Sequence, residues 1–183
     1  AAGAGKEKSQ AIRDGLALDG QSHDEAEVQR IFADFRDRLS VAYANLEVRG
    51  QPGATQLFQQ LRSGDVKVAL NTGYDRKTAE SLIEKIGWQV GREIDALVTA
   101  SDVENGRPAP DMIQLAMELT KVASAGAVGK IGDSQIDIEE GKNAGCAMTF
   151  GITTGAQGAS LLRQSNPTHL INHLNELPAA ITA

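Results

Sequence analysis

The sequence predicts an α/β fold: a doubly wound parallel sheet covered by helices, preceded by a segment that is helical throughout. Three observations carry this. Beyond residue 53, short apolar runs alternate with amphipathic stretches, the pattern of repeated strand–helix units and so of a parallel sheet. Before residue 48 apolar residues recur only at helical spacing. Between the two regions Arg49-Gly50-Gln51-Pro52-Gly53 breaks the helical pattern, so a division into residues 1–48 and 49–183 is expected.

The elements follow in order. Residues 5–18 form a first candidate helix, with Ala11, Ile12, Leu16 and Leu18 as its apolar positions. Residues 23–46 form a second. Ser22, His23, Asp24 and Glu25 suit its cap and positive end, and Ile31, Phe32, Phe35, Leu39, Val41, Ala42 and Leu46 mark its apolar face. A helix over 54–63 ends at Gly64 and leads to a strand over 66–70. Asp75 caps a helix reaching about residue 86. A short strand over 94–98 precedes a helix over 109–120. A strand over 128–131 stops at Gly132-Asp133, a helix covers 136–143, and a strand runs over 147–152. In open α/β sheets ligands bind beyond the carboxyl ends of the strands. That rule singles out Asn71-Thr72-Gly73, Gly132-Asp133-Ser134 and the glycine-rich stretch 151–158.

Composition narrows the function classes. The formal net charge of -6 argues against a nucleic-acid or anionic-membrane surface. No apolar run is long enough to span a bilayer. The single cysteine, Cys146, excludes an internal disulfide framework and points to a reducing, cytoplasmic setting. Gly3-Ala4-Gly5-Lys6 is no phosphate-cradling P-loop, because Glu7 stands where Ser or Thr is needed and no strand pattern stands before it. No Gly-x-Gly-x-x-Gly fingerprint follows a first strand, which weakens a receiver or nucleotide-binding reading. His23, His169 and His173 have no metal-ligand spacing and read as surface residues; Trp88 reads as packing and Cys146 as core.

Three stretches carry chemistry. Asp133 and Asp137 stand four residues apart at a strand-to-helix junction, where two carboxylates can share a hard cation such as Mg2+. For an isolated Gly-Asp pair a capping role for Asp133 or Ser134 is the simpler reading. The full spacing through Gly141 and Asn143-Ala144-Gly145 reverses that preference. Asn71-Thr72-Gly73 offers a hydroxyl and free amides before a helix, an anion site or an ordinary capped turn. In Gly106-Arg107-Pro108 one guanidinium precedes a helix and suits both phosphate and balancing carboxylates.

In this order and spacing the three stretches resemble the haloacid dehalogenase superfamily of phosphohydrolases. Thr72 matches its second motif, Arg107 the basic residue of its third, and Asp133 with Asp137 its acidic fourth. Within it the chain is most similar to the phosphonatase-like branch. Asn71-Thr72-Gly73-Tyr74, an Arg in a Gly-Arg-Pro setting, the run from Gly132 to Gly145, and Gly151-Ile152-Thr153-Thr154-Gly155 carry that similarity.

The resemblance implies a Rossmann-like core with an all-helical cap, residues 1–48 being the cap. It implies Mg2+ at Asp133 and Asp137, with Thr72 and Arg107 holding the phosphoryl group and Asn71, Gly73 and Ser134 beside the substrate. The substrate would be a small phosphorylated or phosphonate metabolite. An aspartate at the end of the family's first strand attacks phosphorus and forms an aspartyl-phosphate. In the branch a cap lysine forms a Schiff base with an aldehyde substrate; an ungapped match puts Lys8 there, with Lys6 as rival. Homodimerisation through the cap is implied in the same way. The family's first motif is absent from the sequence, and Leu18-Asp19-Gly20 is its nearest piece. The expectation is therefore a core lacking its first strand, in a copy of a longer protein that would not turn over a phosphate ester by the family's route. The alternative is a non-catalytic relative that binds phosphometabolites or another subunit, or an inactive fragment.

Overall fold

In the computed structural model, residues 8–18 and 24–181 are described. Helices α1 (Lys8–Leu18) and α2 (Glu25–Asn45) come first and pack on each other. Asp24 caps α2, its Oδ1 accepting from the Glu27 amide at 2.8 Å, and Glu25 and Glu27 place negative charge in the first turn. Val28 is wholly buried, and Ile31, Phe32, Phe35 and Leu39 are half-buried. Val41, Ala42 and Leu46, expected on the same apolar face, are exposed. Among the described side chains, the buried apolar positions of α2 thus lie in its first four turns, with Tyr43 the half-buried residue beyond them. Near its C-terminal end Tyr43 reaches the α/β region. Its hydroxyl lies 2.7 Å from that of Tyr74, and the rings meet edge-on with centroids 6.1 Å apart. Burial, then the Tyr43 hydrogen bond, raises the Tyr74 pKa.

The α/β region runs α3 (Ala54–Ser63), β1 (Ala69–Thr72), α4 (Arg76–Ile86), β2 (Ala96–Thr99), α5 (Asp111–Thr120), β3 (Gly129–Gly132), α6 (Gln135–Asn143) and β4 (Met148–Ile152). It closes with α7 (Ala159–Gln164), β5 (His169–Ile171) and α8 (Leu177–Ile181). All strand pairs are parallel. β1 pairs with β2, aligning Thr72 with Thr99. β3, β4 and β5 form a second sheet in that order, with Gly132 opposite Gly151. Among the described residues no strand pairing joins β1 to β3. One apolar cluster, around Leu57, Phe150, Ile152, Ile171 and Leu177, backs the second sheet. Another, around Val68, Ala79, Ile94 and Leu97, backs the first.

Two strands start later than the apolar runs suggest, for a local reason. After α3, Asp65 takes a positive φ of 60° and the Val66 amide bonds back to Leu61 O at 3.0 Å. Residues 66–67 thus complete a helix exit rather than a strand. The Val68 amide then donates to Asp95 Oδ2 at 2.8 Å, a side chain held by Arg62. A carboxylate occupies the place of a ladder partner, so regular pairing begins only at Ala69 and Ala96. The elements α7, β5 and α8 were not anticipated from sequence. Three-residue β5 is too short for periodicity to register, and its residue His169 is half-buried, stacked on Phe150 at 4.8 Å, rather than a surface histidine. Cys146 is half-buried before β4 rather than core, and burial raises its thiol pKa. Trp88 packs on Phe58, with ring centroids 5.0 Å apart, and donates to Thr55 Oγ1 at 2.9 Å.

Candidate active site

The carboxyl ends of β1, β3 and β4 converge on one cavity of about 280 Å3. From the expected set, Asn71, Arg107, Asp133 and Asp137 line it. Lys130, Thr154 and the linker residue Gln51 line it as well. Thr72, Gly73 and Ser134 do not.

Asp133 follows β3 directly and is clamped by the glycine-rich loop after β4. Its Oδ2 accepts from the Ala156 amide at 2.9 Å, and its carbonyl accepts from the Gln157 amide at 3.1 Å. This loop can come so close because residue 155 is Gly: a Cβ there would run into the Asp133 carboxylate. Gly132 does the same for Asp137, whose side chain occupies the space a Cβ would take. Glycine is required at both positions by close approach, not by backbone angle.

Asp137 lies in the first turn of α6 and is buried. Its Oδ1 pairs with Arg107 and lies 3.6 Å from Lys130 Nζ; its Oδ2 accepts from the Ser134 hydroxyl at 2.5 Å. Ser134 stands at the cap position, but its hydroxyl turns to this carboxylate instead of to a backbone amide. It is wholly buried behind Asp137. Burial opposes ionisation of Asp137, and the charges of Lys130 and then Arg107 outweigh it, holding the carboxyl below its ordinary value. The group therefore stabilises the fold at pH above its unfolded value and loses that contribution as pH falls towards its folded value. In an acid titration, the stability difference between the native chain and Asp137→Asn should shrink as pH drops below 3.8. From about pH 5 upwards it should be constant. Circular dichroism at graded urea concentrations measures both.

Lys130 and Glu140 are site residues that the sequence reading passed over. Lys130 Nζ sits 2.6 Å from Asn71 Oδ1 and 2.7 Å from Glu140 Oε2, the latter an ion pair by distance without hydrogen-bond alignment. Asn71 Nδ2 in turn donates to Glu140 Oε1 at 2.8 Å. Two signals were available: a lysine inside an apolar strand, and a glutamate one turn after Asp137 and so on the same helix face. Thr72 Oγ1 accepts from the Tyr74 amide at 3.2 Å, so its hydroxyl shapes the turn leading to α4. Of the candidate lysines, Lys8 opens α1, and Lys6 lies outside the described residues.

Asp133 and Asp137 contribute only oxygen and open on the same cavity, which suits Mg2+. Asp137 is already neutralised by Arg107 and Lys130. Asp133 Oδ1 has no hydrogen-bond partner among the described residues and is the freer ligand. No cluster of three or more His, Cys, Asp or Glu residues able to hold a metal occurs among the described residues, so the Asp133–Asp137 pair offers two carboxylates and no third. None of the described helices is long and apolar enough to cross a membrane.

Residues 12–150 match the family model described as haloacid dehalogenase-like hydrolase. The phosphonoacetaldehyde hydrolase of Bacillus cytotoxicus is 35% identical over 145 residues, covering 78% of this chain and 53% of that protein. That of Latilactobacillus sakei is 29% identical over 153 residues, covering 71% and 57%. The chain spans about half the length of these curated relatives. Among solved structures, a phosphonoacetaldehyde hydrolase-like protein from Oleispira antarctica superposes with a TM-score of 0.81 at 25% identity, covering 97% of this chain and 75% of that one. A hydrolase from Pseudomonas syringae, 19% identical, shares the fold with a TM-score of 0.83, covering 99% and 80%.

Proposed function

Because the chain belongs to the haloacid dehalogenase-like hydrolase family, we propose that the protein is a Mg2+-dependent phosphohydrolase of the phosphonatase-like branch, acting on a small phosphonate or phosphate ester. One observation carries the reading most directly. Arg107 lines the cavity with its guanidinium on Asp137, and its Nε is buried without a hydrogen-bond partner among the described residues. A buried unpaired donor of this kind calls for a ligand acceptor, and a phosphoryl oxygen supplies one.

In this reading Arg107 holds one side of the phosphoryl group and Asn71 faces it from the end of β1; Thr72 and Gly73, which stand off the cavity, would contribute the Thr72 hydroxyl and backbone amides only to a group that reaches past Asn71. Asp133, steadied by Ala156, would ligate Mg2+, with Asp137 beside it and Ser134 buttressing Asp137. When bound, the cation supplies charge neutralisation of the phosphoryl oxygens. Attack on phosphorus falls to an aspartate of the family's first motif, for which this sequence offers no match. The phosphorus–carbon or phosphorus–oxygen bond of the substrate breaks, and water then hydrolyses the acyl phosphate. Residues 1–48 act as the cap, with Lys8, or Lys6 in its place, as the amine that would condense with an aldehyde substrate. Pairing of two copies through that segment belongs to the same proposal.

The test starts with the coding sequence upstream of Ala1 and the protein it encodes. Phosphate release from phosphonoacetaldehyde and from a panel of small phosphate esters would be followed with Mg2+ and with EDTA. Release that needs Mg2+ is the expected result. Borohydride trapping with phosphonoacetaldehyde then separates the two substrate classes, since an adduct at Lys8 or Lys6 marks phosphonatase chemistry. Tight phosphate binding with no turnover on any substrate would overturn the hydrolase reading in favour of a phosphometabolite binder.

A further inference from the structure

We propose that Gln157, in the glycine-rich loop after β4, is a positioning residue for Asp133, steadying that carboxylate although it does not line the cavity itself. The role of Asp133 as a Mg2+ ligand rests on the phosphohydrolase reading above; the brace rests on geometry. Its origin is a helix end without a cap of its own. Ser134 stands at the cap position of α6, yet its hydroxyl goes to Asp137 Oδ2 at 2.5 Å and makes no bond to a first-turn amide. An amide so abandoned needs another acceptor. Gln157 supplies one from 22 residues along the chain: its Oε1 accepts from the Gln135 amide at 2.8 Å.

The same residue reaches back to Asp133. The Gln157 amide donates to the Asp133 carbonyl at 3.1 Å, and the neighbouring Ala156 amide donates to Asp133 Oδ2 at 2.9 Å. Residues 156–157 therefore hold Asp133 by its carboxylate and its carbonyl, and hold the helix that follows it by its first amide. Both ends of the loop are tied down. The Thr153 amide donates to Ile171 O at 3.1 Å and the Thr153 hydroxyl to Asn172 Oδ1 at 2.9 Å. At the other end Gly158 O accepts from the Leu162 amide at 3.2 Å as α7 begins. Gln157 and Asp133 are both half-buried, so these bonds compete only partly with water. One exchange of partners thus serves both carboxylates. Ser134 leaves the helix end to hold Asp137; Gln157 takes over the helix end and, through its own backbone, holds Asp133. Hydrogen bonds from outside the ligand shell orient a metal-binding carboxylate, and losing such a partner weakens metal binding by about tenfold or more.

Two variants separate the brace from simple packing. Gln157→Met keeps the length of the side chain and removes the acceptor; Gln157→Glu keeps an acceptor. Calorimetric titration with Mg2+ alone is the first measurement. Gln157→Met should bind Mg2+ about tenfold more weakly than the native protein, and Gln157→Glu should lose no more than about threefold. Hydrogen exchange is the second measurement. In Gln157→Met it should quicken by about tenfold at the amides of 135, 156 and 157, with 150–152 of β4 within about twofold of native. Faster exchange at 135 alone, or native Mg2+ affinity in Gln157→Met, overturns the positioning role. Equal weakening in the two variants overturns it too, because the acceptor would then not decide the effect. Asp133→Asn is the control for the reading beneath. Weaker Mg2+ binding in Asp133→Asn with native binding in Gln157→Met leaves the phosphohydrolase reading standing and removes the brace. A native protein that binds no Mg2+, or an Asp133→Asn variant that binds it as well as the native protein, overturns the Mg2+ reading and the positioning role with it.

Discussion

Asp133→Asn should lower Mg2+-dependent phosphate release by about a hundredfold or more, with little change in melting temperature. The two halves of that expectation come from different contacts. Asp133 is only half-buried, and its side chain accepts a single backbone hydrogen bond, from Ala156, which an asparagine oxygen can also accept. The fold therefore loses little. The freer oxygen, Oδ1, is the one proposed to meet the cation, and an amide is a far poorer ligand for a hard ion than a carboxylate. Steady-state kinetics over a Mg2+ series checks this. Metal requirement should move to higher concentration together with the fall in turnover. An unchanged Mg2+ profile would remove Asp133 from the metal site.

The largest expected effect on stability is at the opposite side of the cavity. Lys130→Met should destabilise the chain by about 3–5 kcal/mol, the range for breaking a buried ion pair from one side. Glu140 is wholly buried and would keep only Asn71 as a partner, and Asp137 would lose one of its two cations. The double variant Lys130→Met/Glu140→Leu should recover most of that loss, because a well-packed apolar pair in place of a buried ion pair is close to neutral. Urea unfolding of the single and double variants measures the coupling directly. Equal losses in both would mean that packing volume, not charge, decides at this site.

Much of this arrangement was legible in the sequence. The alternation of strand and helix follows from hydrophobic period, and Gly64, Asp75 and Gly132 punctuate it at element ends. Asp133, Asp137, Arg107 and Asn71 could be named because each stands at a strand end or in a turn with a chemistry that turns rarely need. Lys130 and Glu140 escaped because partnership is a property of three elements at once. A lysine in a strand looks like an edge residue until the helix and strand that bury it are in place. The late starts of β1 and β2 were hidden for the same reason, since the carboxylate of Asp95 that displaces their pairing acts across 27 residues of chain. Ser134 shows the converse: its residue type fits a helix cap, and only the buried carboxylate beside it redirects the hydroxyl.

The contact between Tyr43 and Tyr74 gives the long helix a mechanical character. α2 is 21 residues long, so its far end stands about 27 Å from Tyr43 at 1.5 Å per residue. The hydroxyl pair therefore ties a helix whose other end lies that far away to the turn at Thr72, whose own hydroxyl accepts from the Tyr74 amide.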